Sequence, residues 1–131
     1  MNAADCSLGM PIIWQGLGYE GKAAGIEKGK WLEFAFNTET VSSDSITIEV
    51  RMIPTHPMAG NKLRFAVSFD GCSPVSAEYQ TEGRSEEWKV NTLRNHAIRT
   101  FRFHIGKQSA AHRFRITALD EGVVLDQIFV Y

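Results

Sequence analysis

The sequence predicts an all-β domain: an antiparallel β-sandwich, jelly-roll-like, with two sheets packed face to face. Three observations carry that prediction. Apolar and polar residues alternate with period two along most of the chain, the alternating runs are short and separated by Gly, Pro, Asn and Asp clusters, and helical periodicity is nearly absent. At 131 residues and 44% hydrophobic, the chain has the size of one domain able to bury a core. Residues 1–12 read as an N-terminal tether and residues 13–131 as a single sandwich.

Taken in order, "GLGYEGKAAG" (Gly16 to Gly25) reads as a turn whose glycines permit positive φ, with Tyr19 and Glu20 at its tip. "WLEFAFN" (Trp31 to Asn37) sets Leu32, Phe34 and Phe36 on one face and Trp31, Glu33 and Ala35 on the other. "SITIEVRMI" alternates Ile46, Ile48, Val50 and Met52 against Thr47, Glu49 and Arg51. "PTHPMAGNK" follows, where Pro54 and Pro57 stop strand pairing and Gly60-Asn61 turns into "LRFAVSF", which buries Leu63, Phe65, Val67 and Phe69. Asp70-Gly71 is a hairpin signal.

Two weaker strands fall near Val75 to Gln80 and Glu87 to Val90, the second competing with a helical turn capped by Ser85. "IRTFRFHI" and "HRFRITAL" both read as half-buried strands. "VVLDQIFVY" is divided less cleanly: Val124, Asp126, Ile128 and Val130 oppose Val123, Leu125, Gln127, Phe129 and Tyr131, as in a central strand whose Asp126 needs a partner.

Charge and composition exclude several classes. Fourteen basic and fifteen acidic residues without like-charge blocks give no nucleic-acid footprint. The apolar runs are too short to span a membrane, and the N-terminus lacks the basic and apolar regions of a signal peptide. Cys6 and Cys72 are too few for a disulfide scaffold and read as free, partly buried thiols.

No catalytic constellation is legible. G-x-S-x-G is absent, and His56, His96, His104 and His112 never form H-x-H or H-E-x-x-H. Glu33, Glu49 and Glu78 lie on strand faces where solvated charge is expected. A small hydrolase would need a site assembled from separate loops.

"WQGLGYEGKA" (Trp14 to Ala23), "MIPTHPMAGNKLRFAVSFDG" (Met52 to Gly71), "LRNHAIR" (Leu93 to Arg99) and "GVVLDQIFV" (Gly122 to Val130), taken in order, resemble the C-terminal domain of glycoside hydrolase family 115. Members of that family are α-glucuronidases that remove glucuronic acid or its 4-O-methyl form from xylan side chains. The resemblance implies a β-sandwich similar to carbohydrate-binding modules, with the catalytic machinery in domains upstream. It also implies a periplasmic or secreted parent, whose catalytic domains, a homodimer mate through the parent, and xylan are the expected partners. No family catalytic residue has a position here to be carried onto.

The readings are therefore an accessory domain of such an enzyme, an autonomous carbohydrate-binding module recognising xylan-type glycans, or a small hydrolase. The carbohydrate-contact candidates are Tyr19, Glu20, Trp31, His56, Asn61, Trp88 and Asn95. Flat aromatic faces suit the apolar faces of pyranose rings; Trp14 is a further aromatic candidate, while Trp31 stands opposite its strand's apolar face. No cofactor is implied beyond a structural calcium, for which Asp126 is the one nameable ligand, with Asp120 and Glu121 more distant.

Overall fold

The computed structural model describes residues 1–37, 45–53, 63–79, 97–105 and 111–131. Among these, nine strands form: β1 (Ile12–Gln15), β2 (Lys22–Ile26), β3 (Trp31–Asn37), β4 (Ser45–Met52), β5 (Arg64–Phe69), β6 (Val75–Glu78), β7 (Ala97–His104), β8 (Ala111–Ala118) and β9 (Val123–Val130). One antiparallel sheet has the order β1-β2-β9-β4-β7 and the other β3-β8-β5-β6. The sandwich is as expected; β2, hidden in the glycine-rich stretch, and β1, just before that stretch, are additional.

Alternation places the core. Ile46, Ile48, Val50 and Met52 of β4 face Leu32, Phe34, Phe65, Phe114 and Ile116 of the opposite sheet, all of them buried. Ring pairs add directional packing: Phe34 stacks on Phe114 at 5.2 Å within one sheet, and Phe65 meets Phe101 edge-on at 5.6 Å across the two.

β9 is the central strand of its sheet, and its mixed faces have a cause. Arg51 pairs with Gln127 while Met52 pairs with Leu125, so Asp126 is the extra residue of a β-bulge. The bulge shifts the alternation by one, which lets both Leu125 and Ile128 enter the core.

Three expectations are corrected. Residues 1–12 are not a free tether. Met1 exchanges hydrogen bonds with Ile128, Asn2 bridges to Gln127, Ala3 is fully buried, and Leu8 bridges to Glu33 on β3. The segment satisfies open backbone groups of β9 and of edge strand β3, tying one sheet to the other. Glu33 is not solvated: it is 8% exposed and paired with Arg115, its cross-strand neighbour. Cys72 is exposed rather than partly buried, whereas Cys6 is intermediate and both are free; burial pushes the Cys6 thiol above its ordinary value.

Candidate functional site

β1 and β2 form a hairpin at the edge of the five-stranded sheet, with Ile12 opposite Gly25 and Trp14 opposite Ala23. Ala24 and Ile26 point into the core, so Ile12, Trp14, Ala23 and Gly25 lie on the outer face. Gly25 makes room for the indole: a Cβ there would sit 2.8 Å from Trp14 Nε1. The Trp14 ring lies over a strand that has no side chain at that point and remains 48% exposed.

Next to it, Ile12, Trp14, Leu17, Gly25, Gly122 and Val124 line an apolar hollow of about 500 Å³. A second hollow, lined by Met10, Pro11, Ile12, Lys30 and Trp31, adjoins it through Ile12 and Glu27. Met10 is 94% exposed. All four residues of β1 are exposed.

The β1–β2 turn is held from beneath. Gly16 N–H donates to Gly21 C=O at 2.8 Å, and the backbone N–H of Tyr19 donates to both oxygens of Asp126, at 3.1 and 3.0 Å. Gly18 has φ +83°, and a Cβ on it would strike the Asp126 carboxylate at 2.3 Å. Asp126 is fully buried, so these donors compensate the desolvation of its charge. With the backbone fixed, the Tyr19 side chain is presented to solvent, 78% exposed, beside exposed Glu20.

The sequence names Asp120 and Glu121 beside Asp126 as calcium ligands. Asp120 is engaged by Arg64 through Nε and Nη2 at 2.9 and 3.1 Å, and no group of three or more His, Cys, Asp or Glu residues is placed to hold a metal among the described residues.

Trp31 lies on the opposite sheet, and its ring is covered by the Arg115 guanidinium at 3.9 Å. It is not an open stacking face, and it is not brought together with Tyr19 and Glu20. His56, Asn61, Trp88 and Asn95 lie outside the described residues. Trp14 was legible as an aromatic, but the hollow beside it was not, because it depends on Gly25 of β2 and Gly122 of the turn before β9 being brought beside it. No helix among the described residues is long and apolar enough to cross a membrane.

The glycosyl hydrolase family 115 C-terminal domain model matches residues 17–131. A search of curated proteins finds no match. Among solved structures, the chain is similar to a family 115 4-O-methyl-α-glucuronidase with specificity for decorated arabinogalactans, at 48% identity and TM-score 0.93, covering 100% of this chain and 17% of that one. A family 35 carbohydrate binding module from Clostridium thermocellum shares 13% identity at TM-score 0.69, covering 99% of this chain and 96% of that one. An exo-β-1,3-galactanase from Phanerochaete chrysosporium shares 17% identity at TM-score 0.67, covering 99% and 28%. The last two likenesses speak to fold alone.

Proposed function

Because the chain belongs to the glycosyl hydrolase family 115 C-terminal domain family, we propose that it is a non-catalytic accessory β-sandwich that docks on the body of an α-glucuronidase through the outer face of β1. The chain spans 17% of the length of the glucuronidase it matches at 48% identity, so most of such an enzyme lies in other domains.

The observation that carries the reading is the apolar run along an edge strand. Met10, Ile12, Trp14 and Leu17 are all at least 41% exposed and line two adjoining hollows. Contiguous apolar surface at a sheet edge marks an interaction face, since an open edge strand with an apolar face otherwise invites aggregation. A large aromatic at the centre of such a patch is the usual anchor of an interface. The family resemblance implies xylan as the parent's polysaccharide, whereas the 48% identical relative is specific for decorated arabinogalactans. The common denominator is a polysaccharide carrying 4-O-methylglucuronic acid.

The test is to mix the chain with the body of that 48% identical glucuronidase, its own C-terminal domain removed. Co-elution as a stable complex, abolished by Trp14→Asp, supports docking through β1. Separate elution of the two, or a complex indifferent to Trp14→Asp, overturns it.

A second reading, contact with the polysaccharide itself, is supported by the Tyr19 ring standing on a turn fixed by Asp126. Saturable NMR shifts at Tyr19 with neutral oligosaccharides, lost in Tyr19→Ala, would support that role; silence at Tyr19 would remove it.

A further inference from the structure

The outer face of the four-stranded sheet carries a polar depression that neither docking through β1 nor the Tyr19 tip uses. Registered pairing sets Glu33, Arg115 and Ser68 in one transverse row across β3, β8 and β5, with Ala35 and Arg113 in the next. Alternation on β8 drives Phe114 and Ile116 inward and turns Arg113 and Arg115 outward. Small residues on the neighbouring strands leave space between the long ones. The result is an open hollow of about 370 Å³ lined by Glu33, Ser68, Asp70, Gly71, Arg113 and Arg115, within the range of sites that hold one small ligand.

Its two arginines and two carboxylates are engaged to different degrees. Arg115 gives its Nε–H to Glu33 at 3.0 Å and lies over Trp31 at 3.9 Å, so its guanidinium is oriented in advance. Its terminal nitrogens donate to no acceptor among the described residues. Asp70 engages both oxygens elsewhere, one at 2.8 Å from the backbone N–H of Arg113 and the other at 2.6 Å from His112 Nδ1. The Arg113 guanidinium has no ion-pair partner among the described residues. The Arg113 fork is thus open to a ligand, and the planar guanidinium of arginine matches a planar carboxylate. The Ser68 hydroxyl, which donates to Cys72 C=O at 2.7 Å, keeps its lone pairs for an incoming hydroxyl.

We propose that this hollow is a subsite for a single uronic acid residue of an acidic polysaccharide, its carboxylate held by Arg113 and the terminal nitrogens of Arg115 and its hydroxyls by Ser68 and Asp70. A side chain already held by Trp31 and Glu33 loses little freedom on binding. A flat sheet face with an open-ended hollow suits one sugar within a continuing chain. The site lies on the sheet opposite β1, so docking and uronate binding succeed or fail independently.

The experiment is a ¹H–¹⁵N NMR titration of the 131-residue chain with methyl glucuronoside, methyl glucoside and sodium sulfate in parallel, each across the millimolar range. The expected result is saturable shifts at Ser68, Gly71, Arg113 and Arg115 with the glucuronoside, and none with the glucoside. Arg113→Gln should weaken binding about tenfold or more while leaving the spectrum otherwise dispersed as in the parent chain. Arg113→Lys, which keeps the charge without the fork, should recover only part of it. Silence with the glucuronoside, equal response to the glucoside, equal shifts with sulfate, or binding unchanged in Arg113→Gln would each overturn the proposal.

Discussion

Tyr19 and Asp126 stand 107 residues apart, yet the backbone N–H of the first donates to both carboxylate oxygens of the second, across a hairpin whose Gly18 leaves no room for a side chain. One buried carboxylate thus fixes the edge hairpin to the central strand. Asp126→Ala should destabilise the chain by about 1.5–3 kcal/mol, the range for a hydrogen bond to a charged group. Gly18→Ala should also destabilise, through positive φ and collision with the same carboxylate. Urea denaturation checks both, and a midpoint unchanged in either variant would contradict the clamp.

The two sheets were legible where the residues themselves impose a period. β3, β4, β5, β7, β8 and β9 are rich in β-branched and aromatic residues that alternate, and each forms where the alternation predicts. β2 was hidden because Lys22-Ala-Ala-Gly-Ile has weak strand propensity and forms through pairing with β9. The bulge at Asp126, the burial of Glu33 and the docking of residues 1–8 share one cause: each depends on which strands become neighbours, a non-local fact that a one-dimensional period does not encode. The same limit applies to the sites. Tyr19 and Glu20 were placed at a turn tip by local glycines, whereas the hollow beside Trp14 and the Arg113–Arg115 face exist only after registration.

Arg115 connects Trp31 and Glu33 on the outer face. Arg115→Met leaves a largely buried carboxylate without its ion partner and should cost about 1–2 kcal/mol, moderated because the arginine itself is half exposed. Adding Glu33→Gln should restore part of the loss, since the group left unpaired is then neutral. A double-mutant cycle by denaturation reads the coupling, and strict additivity of the two changes would show the pair to be energetically idle.

His112 is 4% exposed, stacks on Phe69 at 5.4 Å and bonds Asp70 through Nδ1, while its Nε2 is buried without a hydrogen-bond partner. The two ends of this pair should respond differently. Asp70→Ala leaves both ring nitrogens unsatisfied in an aromatic setting and should cost about 1–3 kcal/mol. His112→Phe removes the orphaned nitrogen, keeps the stack and leaves a partly exposed carboxylate to water, so its effect should be small or stabilising. Thermal melts of the two variants decide, and a larger loss for His112→Phe than for Asp70→Ala would reverse the argument.

Arg64 holds Asp120 by its backbone N–H at 2.9 Å as well as by its guanidinium, and those guanidinium hydrogen bonds are the main cause that keeps the carboxyl below its ordinary value near 3.8. A folded-state value below the unfolded one means stability that is present above the unfolded value and lost as pH falls through the folded one. The stability difference between the parent chain and Asp120→Asn should therefore be constant at neutral pH and shrink once the pH drops below about 3.8. Because the arginine is exposed, added salt should reduce the neutral-pH difference as well. Urea midpoints across an acid series check the sign: a difference that grows on acidification would mean that the carboxyl is protonated more readily in the folded chain than in the unfolded one.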